Sequence, residues 1–234
     1  MDLDLVLLDA GNTVIFLDHE AVADIVTSHG HVVDARVIAR VEGIAKRRYE
    51  ALLVSGLSHE DGWGAYLRTL LEEAGLETDT ARSMIAPLRR AHDAFNLWRR
   101  VPDDLPSALD RLRSNDIRVA IVSNSEGRLP DVLSRVGLGD AFELIVDSHH
   151  EGVRKPDPEI FRRALTRLDV PASRSVYLGD IPGIDIVGAH AAGMKAVLVD
   201  ALDFYPDHAS SPRVASVGAF VDGFVLGPRR MRVC

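Results

Sequence analysis

The sequence predicts an α/β fold: a parallel sheet flanked by helices, with an all-helical domain inserted after the first strand. Three observations point to it. Short unbroken apolar runs recur along the chain, stretches of helical period separate the later ones, and the interval from about Asp18 to about Trp98 carries helical patterns without a comparable strand run.

The first run, Leu5 to Leu8, closes on Asp9-Ala10-Gly11-Asn12, so it reads as a strand buried on both faces that ends in a turn. In the interval that follows, Ala21 to Ser28, Val37 to Leu53, Trp63 to Ala74 and Ala81 to Trp98 read as helices, with breaks near Gly30, Gly56 and Gly75. Leu105, Ala108, Leu109 and Leu112 then resume a core-facing helix at i, i+3, i+4, i+7 spacing. Val119 to Val122, Leu144 to Val146, Val176 to Leu178 and Ala196 to Val199 supply further strands, and Ile160, Ala164, Leu165 and Leu168 form a helical stripe after Pro158. The expected division is a core domain of 1–16 and 99–234 around a helical domain of 17–98.

The chain has 234 residues, 47% of them hydrophobic and 26% charged, with a formal charge of −8. That length suits one domain with a large insertion, and the acidic balance disfavours nucleic acid and anionic membranes, which need basic patches. The only cysteine is Cys234, so neither an intrachain disulfide nor a Cys-based zinc site is expected. The start lacks a basic segment before its apolar run, and no apolar stretch approaches a membrane span; the expectation is a cytoplasmic protein.

In open parallel sheets ligands bind beyond the carboxyl ends of the strands. The polar residues that follow the apolar runs are Asp9, Ser123-Asn124 and Gly179-Asp180, and Lys155 sits in a loop that leads into a helix. Four stretches in this order, Leu7-Leu8-Asp9-Ala10-Gly11-Asn12-Thr13, Val122-Ser123-Asn124, Lys155-Pro156-Asp157-Pro158-Glu159-Ile160-Phe161 and Gly179-Asp180 with Asp185, resemble the motifs of the haloacid dehalogenase superfamily of hydrolases. The resemblance covers nearly the whole chain. It implies a Rossmann-like core, a helical cap that encloses the site, and a Mg²⁺-dependent phosphatase that acts on a small phosphorylated metabolite through an aspartyl-phosphate.

The residue roles it implies are chemically coherent. Asp9, ionised at neutral pH, is the nucleophile, with Ser123 and Lys155 as the other catalytic groups. Ser123, Asn124 and Lys155 would bind phosphate, and Asp9, Asp180, Asp185 and the Gly11 carbonyl would hold Mg²⁺ through hard oxygen ligands. Asp185 has a second reading as a helix cap that orients the metal shell.

Gly11 departs from the family, whose phosphatases usually carry there an Asp that protonates the leaving group and activates water. Slow turnover, or a substitute from the cap such as Asp18, His19 or His92, is expected. A 2-haloacid dehalogenase uses the same nucleophile and also lacks that Asp, but needs no metal and lacks the paired acidic fourth motif. A phosphonoacetaldehyde hydrolase would need a cap lysine; Lys46, the only one, is followed by Arg47 and Arg48 in what reads as an exposed run. A catalytically weak ligand-binding member is the remaining alternative.

His149-His150 reads as a loop pair rather than a metal site, because adjacent histidines do not share a helix face. Lys46-Arg47-Arg48, Arg89-Arg90 and Arg99-Arg100 read as solvated helix faces, with a lesser prospect that a cap arginine binds a substrate carboxylate or second phosphate. The sequence leaves the oligomeric state open.

Overall fold

The computed structural model describes residues 3–56 and 59–225; Cys234, read from the sequence as a mobile terminal thiol, lies outside them. The chain divides into two compact units, 1–16 with 99–234, and 17–98. All four side chains of β1 (Leu5–Leu8) are fully buried, as an unbroken apolar run in a sheet covered on both faces requires. After the turn at Asp9 the chain forms β2 (Phe16–Leu17) and enters the helical unit: α1 (His19–Ser28), α2 (Ala35–Val54), α3 (His59–Glu73) and α4 (Thr78–Ala94). It leaves through β3 (Trp98–Arg100), which pairs with β2.

The remaining elements are α5 (Leu105–Arg113), β4 (Arg118–Ser123), α6 (Leu129–Arg135), β5 (Ile145–Asp147), α7 (Ser148–Glu151), α8 (Pro158–Leu168), β6 (Ser175–Gly179), α9 (Val187–Ala191), β7 (Lys195–Val199), β8 (Arg213–Val214) and α10 (Val217–Phe220). Six strands form one sheet in the order β5-β4-β1-β6-β7-β8, and every pairing in it is parallel. Leu8 lies beside Ile121 on one side and Leu178 on the other. The carboxyl ends of β4, β1 and β6 are therefore level, and Asp9, Ser123 and Asp180 emerge at one rim of the sheet.

The helical unit packs α1 to α4 around Leu17, Val26, Ile38, Leu67, Leu70 and Leu88. Gly30, Gly56 and Gly75 all lie at positive φ, which explains the breaks between its helices. Three readings need correction. The helix expected over Ala81 to Trp98 ends at Ala94; Phe95 is extended, and the Asn96 side chain accepts from the Trp98 N–H at 2.8 Å. Arg99 and Arg100 accordingly lie on a strand rather than a helix face. His149 and His150 fall in the single-turn α7, which Asp147 caps by accepting from the His149 N–H, rather than in a loop.

Third, Lys46 is buried at 3% exposure, whereas Arg47 and Arg48 are exposed as expected. It lies one turn beyond Glu42, which is itself buried and accepts from Tyr66 Oη at 2.8 Å, with His19 Nε2 at 2.7 Å from its other oxygen. The helical period carries Lys46 to that inner face.

Candidate active site

Asp9 follows β1 and is held by a hydrogen bond from its N–H to the Leu178 carbonyl on β6, at 2.8 Å. The loop beyond it turns sharply at Asn12, whose φ is +54°, and the Asn12 N–H reaches back to the Ile15 carbonyl at 2.7 Å. Asn tolerates that left-handed conformation better than most residues, and Gly11 is not among the glycines at positive φ. Both Asn12 Oδ1 and Thr13 Oγ1 in this loop are buried with no hydrogen-bond partner.

Lys155 Nζ sits 2.5 Å from Asp9 Oδ1, 2.6 Å from Asp185 Oδ1 and 2.8 Å from Tyr177 Oη, so all three ammonium protons are committed. The loop that carries it is braced by Asn124, whose Oδ1 accepts from the Lys155 N–H at 2.9 Å and whose Nδ2 donates to the Lys155 carbonyl at 3.0 Å. The Asn124 carboxamide thus positions Lys155, and the second N–H of its Nδ2 remains to meet a ligand.

Asp185 is the organiser of the opposite side. Its Oδ2 accepts from the N–H groups of Asp180 and Ile181 at 3.0 and 2.9 Å, while its Oδ1 takes Lys155 and lies 3.1 Å from Tyr177 Oη. With both oxygens so occupied, Asp185 fixes the turn that presents Asp180. Gly179 is required beside it, because a Cβ there would lie 2.5 Å from Asp185 Cγ. Ser123, buried at the end of β4, completes the rim and pairs in register with Asp147.

Tyr177 is the member of this network that sequence reading missed, taking it as one more apolar residue of a strand. Its hydroxyl accepts from Lys155 and donates toward the Val122 carbonyl at 3.0 Å, linking β6 to β4 across β1. The available signal was a phenol within an otherwise aliphatic buried run, since such a hydroxyl needs partners.

Electrostatics follow from burial. Burial pushes the Asp9 carboxyl up from its ordinary value, against the pull of Lys155. For Lys155 burial acts downward, but the carboxylates of Asp185 and Asp9 outweigh it and hold the ammonium above its usual range. Burial, reinforced by Asp185 and Asp9, raises Tyr177 well above the ordinary phenol value and keeps it neutral. Asp9, Asp180 and Asp185 each offer an oxygen within 4.8 Å of the others. Hard oxygen donors at this spacing fit a small divalent cation.

Of the groups considered as substitutes for an acid/base at Gly11, Asp18 caps α1 by accepting from the Ala21 N–H. His92 is buried between Trp63 and Trp98, with Nδ1 accepting from the Leu97 N–H. His19 is tied to Glu42 through Nε2.

The profile of haloacid dehalogenase-like hydrolases matches residues 3–193. A bovine haloacid dehalogenase-like hydrolase domain-containing protein 3 is 29% identical over 211 residues, covering 85% of this chain and 82% of that protein. For the mouse protein of the same name the match spans 59% of its length at 31% identity. A phosphoserine phosphatase from Thermus thermophilus is 33% identical over 57% of this chain and 52% of its own. Among solved structures, the magnesium-bound putative HAD-hydrolase YfnB from Bacillus subtilis superposes with a TM-score of 0.72 at 19% identity, over 94% of this chain and 98% of that one. No helix among the described residues is long and apolar enough to cross a membrane. Motif order, sheet topology and the profile match over most of the length converge, and the chain belongs to the haloacid dehalogenase-like hydrolases.

Proposed function

We propose that this hydrolase is a divalent-cation-dependent phosphatase acting on a small phosphate monoester through a phosphorylated Asp9. The observation that carries the reading is the buried set of Asp9, Asp180 and Asp185 with Lys155 bonded to Asp9. Relatives described as phosphoserine and glyceraldehyde 3-phosphate phosphatases support it. So does the unpartnered Thr13 Oγ1 beside the nucleophile, a buried hydroxyl able to donate to a phosphate oxygen.

Asp9 and Asp180, with the Gly11 carbonyl, would hold Mg²⁺, and Asp185 fixes the segment that carries Asp180. The ion's chemistry is to supply positive charge that lets an anionic phosphate approach an anionic nucleophile. An Asp9 oxygen attacks phosphorus in line as the bond to the ester oxygen breaks, and the leaving oxygen departs as the oxyanion and takes its proton from water, since Gly11 offers none. Lys155 offers its fixed charge to the transferred group, and the Ser123 hydroxyl with nearby main-chain N–H groups donates to its oxygens. Water then cleaves the acyl phosphate to free Asp9 and inorganic phosphate.

Activity on an aryl phosphate is expected with Mg²⁺ and should vanish in EDTA. Full activity in EDTA, or chloride release from a 2-haloacid without metal, would transfer the assignment to a dehalogenase. The burial of Lys46 removes exposure as a ground against a Schiff base, so the same panel includes phosphonoacetaldehyde. Borohydride inactivation through Lys46 with that substrate would place the chemistry at a carbon–phosphorus bond.

Gly11→Asp should raise turnover on alkyl phosphates by about 10-fold or more and on aryl phosphates much less, since an aryl oxide leaves without protonation. Gly11 does not occupy the left-handed region, so its backbone conformation admits the new side chain. Equal wild-type rates on alkyl and aryl esters, with no gain in the variant, would show that another group already supplies the proton.

A further inference from the structure

Lys155 is held by two carboxylates and by one neutral group, and the neutral group takes no part in the chemistry proposed for the site. Tyr177 stands on β6, fully buried, with its ring edge-on to Phe161 at 4.9 Å and 86°. Its phenol is neutral at physiological pH, so it gives the ammonium direction rather than charge. A third carboxylate in its place would compete with Asp9 for the same cation.

The hydroxyl has one proton to give, and two acceptors stand within reach: the Val122 carbonyl at 3.0 Å and Asp185 Oδ1 at 3.1 Å. With that proton spent on either of them, a lone pair remains for Lys155 Nζ at 2.8 Å. The ammonium directs its three N–H bonds to Asp185 Oδ1 at 2.6 Å, to Tyr177 Oη and to Asp9 Oδ1 at 2.5 Å. A single tether at Asp185 would leave the flexible lysine stem free to swing about that contact. The second tether, at Tyr177, fixes where the third N–H points, and it points at the nucleophile. Val122 directly precedes Ser123 on β4, so the same hydroxyl also ties the Lys155 ammonium to the strand end that carries Ser123.

We propose that Tyr177 is a positioning residue of the hydrolytic site: its hydroxyl, together with Asp185, aims the third Lys155 N–H at Asp9 and at the group that Asp9 receives. The kinetic consequence rests on the phosphatase reading, whereas the aim of the ammonium does not. Loss of the hydroxyl leaves the ammonium charge in place and removes its direction. Ground-state attraction for phosphate is then retained, while stabilisation of the transition state falls.

Tyr177→Phe should lower kcat on an aryl phosphate by about 10-fold or more, with KM changed by no more than about twofold. Replacement of Tyr177 by 4-aminophenylalanine, which again has a proton for Val122 and a lone pair for Lys155, should recover most of the loss. The aim of the ammonium is read without turnover, because the chain has only three lysines, Lys46, Lys155 and Lys195. In protein labelled with ¹⁵N-lysine, the Lys155 ammonium signal is identified by its absence from Lys155→Met. Its protons should exchange with water about fivefold or more faster in Tyr177→Phe. An unchanged exchange rate in a variant whose near-UV circular dichroism is that of the wild type would overturn the proposal. So would a kcat within about twofold of wild type, a loss confined to KM, or a loss that 4-aminophenylalanine fails to restore. Should the unaltered protein hydrolyse no phosphate ester, the phosphatase reading falls, and ammonium exchange alone decides the aim of Lys155.

Discussion

Asp9→Asn is expected to reduce hydrolysis of any phosphate ester by at least about 10³-fold while near-UV circular dichroism stays that of the wild type. The amide is nearly isosteric and still accepts from Lys155, which donates to Asp9 Oδ1 at 2.5 Å, but it is a poor nucleophile. Acid quench of the wild type during turnover should leave a phosphate-sized mass increment on the peptide that contains Asp9, and the variant should carry none. A variant that retains more than a small fraction of the rate, or an increment that maps elsewhere, would refute the covalent mechanism.

The largest effect on stability should come from Lys155→Met. Lys155 is almost fully buried and holds Asp9, Asp185 and Tyr177 at once, so its loss strands two carboxylates without a counter-charge. Breaking a buried ion pair from one side destabilises by about 3–5 kcal/mol, a fall of roughly 10 °C in Tm for a chain of this size. The deficit should widen from pH 5 to pH 8. Burial already raises the Asp9 carboxyl, and without Lys155 the folded state retains a proton that the unfolded chain has released; the native form therefore loses ground as pH rises. Added Mg²⁺ should stabilise the variant more than the wild type. An unchanged Tm in calorimetry at both pH values would mean that this network does not stabilise the fold.

Sequence reading reached the sheet and its rim because the signals are local. A short unbroken apolar run such as Leu5 to Leu8, closed at once by turn residues, fits a buried strand of a parallel sheet, and a polar residue directly after it lies at the ligand-binding end. The misreadings arose where burial comes from partners distant in sequence. Phe95 and Trp98 prolong the apolar pattern of α4 although the backbone has already become extended. Lys46 sits in a charged run, and its inward face follows from Glu42 and Tyr66, which only packing brings together. Asn124 and Asp185 were placed at the site, but their commitment to the main chain at Lys155 and at Asp180 needed coordinates. Tyr177 showed itself only as a phenol in an aliphatic run; two of its partners, Val122 and Lys155, lie 55 and 22 residues away and could not be read from the sequence.

The pairing of β2 with β3 also bears on how the chain folds. The Asp18 N–H meets the Leu97 carbonyl at 2.8 Å, so the helical unit begins and ends at one point. β1 must find β4 across about 110 residues, a costly closure for a parallel pair. Once α1 to α4 have formed, the flexible chain between those strands shrinks to about 30 residues, which lowers the closure entropy by roughly 1 kcal/mol. The inserted helices then act as a folding aid to the sheet that they interrupt. Pulse-labelled hydrogen exchange should find the amides of α2 and α3 protected before those of β1, and the reverse order would show that the sheet closes unaided.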